Sequence, residues 1–121
     1  MKQGYKVVRT ESDGCYSAVM EGSYRIAYAV GMLSVPRPRS GPLCVFGSLN
    51  DAIRYKQVYF DHDECGVIVG IYECEYEPSQ EDKIYLPHIR GDGRPLSAVP
   101  PGTQLAKSVM LTKAVDDQGG I

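Results

Sequence analysis

Hydrophobic and polar positions alternate in short runs along most of the chain. Tyr5 to Thr10 (YKVVRT), Cys15 to Met20 (CYSAVM) and Tyr24 to Val30 (YRIAYAV) are rich in β-branched and aromatic residues, with turn formers between them at Ser12-Asp13-Gly14 and Glu21-Gly22-Ser23. This spacing predicts a three-stranded antiparallel meander joined by hairpins. In the third run Tyr24, Ile26, Tyr28 and Val30 fall on one face and Arg25, Ala27 and Ala29 on the other, the two-residue period of a strand.

The next segment, SVPRPRSGP over residues 34–42, is predicted to be a surface loop, because each proline removes a backbone donor and restrains the residue before it. A short apolar strand follows at Leu43 to Phe46. Ser48 is a helix N-cap, and Asp51 sets a carboxylate against the first free amides. Leu49, Ala52, Ile53 and Phe60 then keep helical spacing, so one amphipathic helix over about 48–60 is predicted to lie on a sheet.

Asp61 to Gly66 (DHDECG) reads as a polar turn, and Gly66 to Glu77 (GVIVGIYECEYE) as the longest strand. Its first half is apolar on both faces, as in a central strand. Its second half alternates Tyr72, Cys74 and Tyr76 with Glu73, Glu75 and Glu77. A Pro/Gly-rich stretch with a short strand at Ile84 to Leu86 leads to Lys107 to Val115 (KSVMLTKAV), which alternates again and returns to the sheet. The expected fold is α+β: mostly antiparallel β-sheet, one α-helix and long Pro/Gly loops in a single domain over 1–115, with a flexible tail at 116–121.

Composition narrows the class. With 121 residues, 43% hydrophobic and 23% charged, the chain excludes a disordered chain, a collagen-like fibre and a coiled coil. No run approaches the roughly 20 apolar residues of a membrane span, and the start MKQGYKVVRT lacks a secretory core, so a cytoplasmic protein with no membrane partner is expected. Cys15, Cys44, Cys65 and Cys74 form no CxxC pair and suit reduced, mostly buried thiols. Residues 61–82 carry eight acidic groups and no basic one, between segments that are each net positive. That distribution excludes a uniformly basic nucleic-acid binder and leaves a local basic patch open.

Candidate chemistry lies in three places. Glu73, Glu75 and Glu77 share a strand face, which is expected to be wet or paired with cations such as Arg9, Arg25 or Lys107. The turn Asp61-His62-Asp63-Glu64-Cys65 lacks metal-ligand spacing and reads as an exposed acidic turn, so no metal is expected; His62 and His88 carry no signature of a nucleophilic dyad. The loop His88 to Pro95 sets Arg90, Asp92 and Arg94 among glycines, and Arg37 and Arg39 stand in the earlier Pro-rich loop. Arginine forks beside a close backbone suit phosphate or carboxylate oxygens, although neither GxxxxGK[ST] nor GxGxxG is present and no cofactor is expected. Nine tyrosines against two phenylalanines fit either a half-exposed binding or oligomer face or the rim of a thin core.

At GYKVVR (4–9), YAVG (28–31), GPLCVFGSLNDAIRY (41–55), IYECEYE (71–77) and PPGTQLAKSVMLTKAV (100–115) the chain resembles small proteins carried by bacteriophages and prophages. The resemblance implies a viral or mobile-element origin and no particular chemistry. More distantly, the order of an arginine-ended strand, a serine before a helix and strands bearing glutamate is similar to the layout of ADP-ribosyltransferases. That likeness implies NAD as substrate, with Arg9 on its phosphates, Ser48 orienting the ribose strand and Glu73 or Glu75 polarising the ribose. Ser48 stands in FGS instead of a Ser-Thr-Ser triplet, and the last strand has no glutamate, so a degenerate relative is implied before an enzyme.

The leading expectation is a small phage-type, non-enzymatic binding protein, able to oligomerise. Its loops would engage either a host protein or a phosphorylated, nucleotide-derived small molecule, and so counter host defence by sequestration or blocking. The alternatives are NAD-dependent ADP-ribosyl transfer and a structural or virion-associated part.

Overall fold

A long strand with bulky residues on both faces starts the chain. Lys2–Glu11 (β1) turns through Ser12 and Asp13 into Gly14–Ser17 (β2), and short pieces follow at Ala27–Tyr28 (β3), Leu33–Ser34 (β4) and Leu43–Phe46 (β5). The helix Leu49–Phe60 (α1) precedes Ile68–Pro78 (β6), a small pair Lys83–Ile84 (β7) and Arg94–Pro95 (β8), and the last strand Thr103–Val115 (β9). The computed structural model describes residues 1–18, 26–36, 41–60, 68–80, 83–84, 94–95 and 101–115, with the backbone alone for residues 59, 60, 83, 84, 94 and 95. The Asp61 to Gly66 turn, Cys65, Arg25 and the tail lie outside the described residues. Among the described residues the structure is mostly antiparallel β-sheet with a single helix, consistent with the expected α+β layout.

The main sheet closes on itself. β1 pairs with β6 from Lys2↔Tyr76 to Thr10↔Ile68, and β6 pairs with β9 from Ile71↔Val115 to Pro78↔Ala106. β9 pairs with β5, from Leu43↔Ala106 to Phe46↔Thr103, and β5 meets β1 again at Tyr5↔Phe46. The circuit β1–β6–β9–β5–β1 is therefore a small barrel whose wall has no free edge at that end. At the other end β2 and β3 extend from β1, and β4 extends from β9. Ser34 Oγ on β4 donates to the Ala27 carbonyl on β3 at 2.9 Å, which brings the two ends together.

Alternation sorts the strands into an inner and an outer face. Val8, Tyr28, Leu43, Val45, Cys74, Tyr76, Ala106, Val109 and Leu111 fill the inside. Val7, Cys44, Phe46, Ile71 and Leu105 point outward onto Ala52 of α1, with Leu49, Ile53, Tyr55 and Val115 around them. β5 is buried at all four positions because it lies between the barrel interior and the helix. Tyr55 packs 5.5 Å from the Phe46 ring and donates its hydroxyl to the Ala18 carbonyl at 3.1 Å.

Two glycines allow close approach. A Cβ on Gly4 would lie 2.8 Å from the Tyr76 ring and 2.9 Å from the Phe46 carbonyl, where β1, β5 and β6 meet. Gly102 has φ +85°, and a Cβ there would strike the Asp51 carboxylate.

Some expectations change in detail. The segment over 34–42 is not all surface loop: Ser34 is a buried strand residue, and Gly41 and Pro42 are buried where the chain enters the barrel. The last strand starts at Thr103, earlier than the alternation of Lys107 to Val115 showed. β7 pairs with β8 through Ile84↔Arg94, so part of the Arg90 to Pro95 loop is strand.

Candidate functional site

The long strand β6 carries its carboxylates on the outer face, continuing the side on which Ile71 meets α1. Gln3 Nε2 donates to Glu73 Oε1 at 2.8 Å, and Lys113 Nζ lies 3.2 Å from Glu73 Oε2. Lys107 Nζ lies 3.9 Å from Glu77 Oε1, and Glu75 is exposed. The face is wet and partly ion-paired, as expected for three like charges in a row. Lys107 is one of the anticipated cations. Arg9, also anticipated, does not pair with this row: its Nε lies 2.9 Å from Glu11 Oε2 on its own strand, off the alignment of a hydrogen bond.

The residues implied by the transferase likeness are not gathered. Arg9 pairs with Val69 and Tyr5 with Glu73, so four strand positions, about 13 Å, separate Arg9 from Glu73. Glu75 faces Gln3, about 20 Å from Arg9 along β1. Ser48 is a helix cap: its Oγ accepts the Asp51 N–H at 3.2 Å and donates to Asp51 Oδ2 at 2.9 Å. Among the described residues, no three His, Cys, Asp or Glu side chains are grouped to hold a metal.

The chemistry that sequence reasoning missed is inside the barrel. Lys6 is 1% exposed and is the one charged side chain among the described buried residues. Its Nζ donates to the Cys44 carbonyl at 2.5 Å and lies 4.7 Å from the centre of the Tyr28 ring. The signal was present in Tyr5-Lys6-Val7-Val8: a strand apolar on both faces is central, so a lysine within it must be buried and satisfied. Burial pushes the neighbouring Cys74 thiol up to about 11, against the opposing pull of Lys6 and of a hydrogen bond with the Gly4 backbone. Tyr76 is raised by burial and then by Cys74. A protonated, enclosed thiol is a poor nucleophile, and what the described contacts show of this cluster is packing and hydrogen bonding within the barrel.

Arg37, Arg39, Arg90 and Asp92, with His62 and His88, lie outside the described residues. Arg94 is placed by its backbone alone, in β8. Of the six tyrosine side chains described, Tyr28 and Tyr76 are buried and Tyr5, Tyr16, Tyr55 and Tyr72 half-buried, so these six serve the rim and the core. Among the described residues, no helix is long and apolar enough to cross a membrane. No family model matches the chain, and no curated protein or solved structure shows significant similarity to it.

Proposed function

We propose that this protein is a non-enzymatic binding module of the phage accessory type, acting in the host cytoplasm on a host protein or on a phosphorylated, nucleotide-derived small molecule. Arg37 and Arg39 of the Pro-rich segment, with Arg90, Asp92 and Arg94, form the proposed ligand-contacting set. The observation that supports this reading is the dispersal of Arg9, Ser48 and Glu73. Group transfer needs reacting groups held within about 3–3.5 Å of the atoms they act on. Here Ser48 caps a helix, Glu73 is bonded by Gln3 and Lys113, and Arg9 sits beside Glu11. That dispersal favours a reading as surface recognition, and arginine forks suit phosphate oxygens.

The test is native mass spectrometry of the protein purified from a host-cell lysate, followed by titration with ADP-ribose and ATP and incubation with NAD. Binding that weakens on Arg90→Ala or Arg94→Ala and with rising salt supports the small-molecule arm. Release of nicotinamide from NAD, lost on Arg9→Ala and Glu73→Gln, would overturn the non-enzymatic reading.

A further inference from the structure

We infer that the outer row Leu33–Met110–Glu75, with Val30, Met32 and Val35 beside it, is a contact surface for a second copy of this chain. The inference stands whether or not the loops bind an anion.

Register assembles the row. Leu33 on β4 faces Met110 on β9, Met110 faces Glu75 on β6, and Glu75 faces Gln3 on β1. Residues directly opposite on neighbouring strands share a face and touch. Leu33 and Met110 point outward, because their neighbours Ser34 and Val109 are buried inside. The helix covers a different part of this wall, over Val7, Ile71 and Val115. Here Val30, Leu33 and Val35 stay 52–55% exposed and Met32 45% exposed. Contiguous apolar patches of this kind on a soluble domain mark contact sites. The ten residues Ile26 to Val35 (IAYAVGMLSV) contain no charge, so β4 lacks the lysine that commonly guards a terminal strand of a sheet.

Charge selects the occupant. Among the described residues the rim carries both signs: Glu75 is exposed, and the Lys107 and Lys113 side chains are each 71% exposed. An anionic lipid surface or a nucleic acid would meet Glu73, Glu75 and Glu77, and a basic segment would meet Lys107 and Lys113. A second copy brings both signs at once, as a self-complementary two-fold interface does. An aliphatic centre with a charged rim is the composition of such interfaces, which bury about 800 Å² per partner.

Sedimentation velocity of the full chain between about 1 and 300 μM tests this, since weak dimers dissociate within that window. A dimer that forms with concentration is expected. Leu33→Lys and Val35→Lys should each raise its dissociation constant by about tenfold or more. Val58→Lys, at a 63% exposed position on the helix, should leave it unchanged, with circular dichroism confirming that each variant is folded. A monomer throughout, or a dimer insensitive to both Leu33→Lys and Val35→Lys, would overturn the assignment, the first outcome returning the patch to a partner of different sequence.

Discussion

Lys6 Nζ donates to the Cys44 carbonyl from inside the barrel, tying β1 to β5, the short strand that completes the circuit between β1 and β9. The amine also faces the Tyr28 ring on β3, so one side chain touches both ends of the closure. Its placement follows from the two-residue period. Val7 must point outward to meet Ile71 and Ala52, which turns Lys6 and Val8 inward.

Lys6→Ala should therefore lower stability by about 3 kcal/mol, since it removes a buried aliphatic stem and a hydrogen bond and leaves a void. Lys6→Met keeps the stem and removes the amine. A well-filled apolar side chain in place of a buried charge is often neutral or better, so this variant should lie within about 1 kcal/mol of the parent. Urea unfolding of the three proteins measures the difference. Equal losses in both variants would show that the amine, and not the packing, supplies the stability.

Cys74 gives a pH dependence with a defined sign. Its thiol is held up to about 11 in the folded chain against an ordinary 9.0, so between these values the folded state keeps a proton that the unfolded chain releases. Stability from this group is complete below pH 9 and falls as pH rises towards 11, by about 3 kcal/mol at most. Tyr76, also raised, acts in the same direction. Cys74→Ser should flatten the decline in alkaline unfolding curves. At pH 8, peptide mapping after brief alkylation should find Cys15 modified before Cys44 and Cys74, because it is half-buried while those two are enclosed.

The turn before β9 is locked to the start of the helix. Gly47 N–H donates to the Gly102 carbonyl at 3.1 Å, and the Asp51 side chain occupies the space a Gly102 Cβ would need. Gly102→Ala combines an unfavourable left-handed backbone with a displaced carboxylate, and should cost about 2–3 kcal/mol. Ser48→Ala removes only the cap, for about 1 kcal/mol. Thermal unfolding separates the two, and Gly102→Ala should be the more damaging. The reverse order would mean that Asp51 swings clear and that the cap is the stronger constraint.

The elements with local patterns were readable in advance, and the closure was not. Ser48, Asp51 and the spacing of Leu49, Ala52 and Ile53 define the helix without help from the rest of the chain. GVIVGIYECEYE was legible as a long strand, and β6 lies between β1 and β9 from Ile71 onward; its described start pairs with β1 and leaves Ile68 exposed, against the two-sided burial its apolar residues suggested. β4 was hidden because it is two residues long and precedes a proline-rich segment, and its pairing partner Val109 is 75 positions away from Ser34. Lys6 was overlooked although Tyr5-Lys6-Val7-Val8 carries bulky residues on both faces, because the strands that enclose its inner face, β5 and β3, are brought over it by pairings far along the chain. The same limit applied to the glutamates. Their shared face was legible, whereas the choice of Lys113 as the partner of Glu73 depends on a register shift, with Thr112 of β9 as the extra residue opposite Glu73 and Cys74 of β6.

That choice can be tested in its own right. Lys113 is 71% exposed at its side chain and Glu73 only 20%, so the pair is screened on one side and the carboxylate is held chiefly by Gln3. Glu73→Gln retains an amide oxygen that can still accept from Gln3, and Lys113→Ala removes a mobile surface group. A double-mutant cycle should give a coupling below about 0.5 kcal/mol, falling further in high salt, as for other exposed pairs. Glu75→Gln, at an exposed position, should leave stability unchanged. A coupling of several kcal/mol between Glu73 and Lys113 would mean that this face is desolvated in the working protein. That result would place the carboxylate row inside an interface, where the Leu33–Met110–Glu75 row puts its near edge.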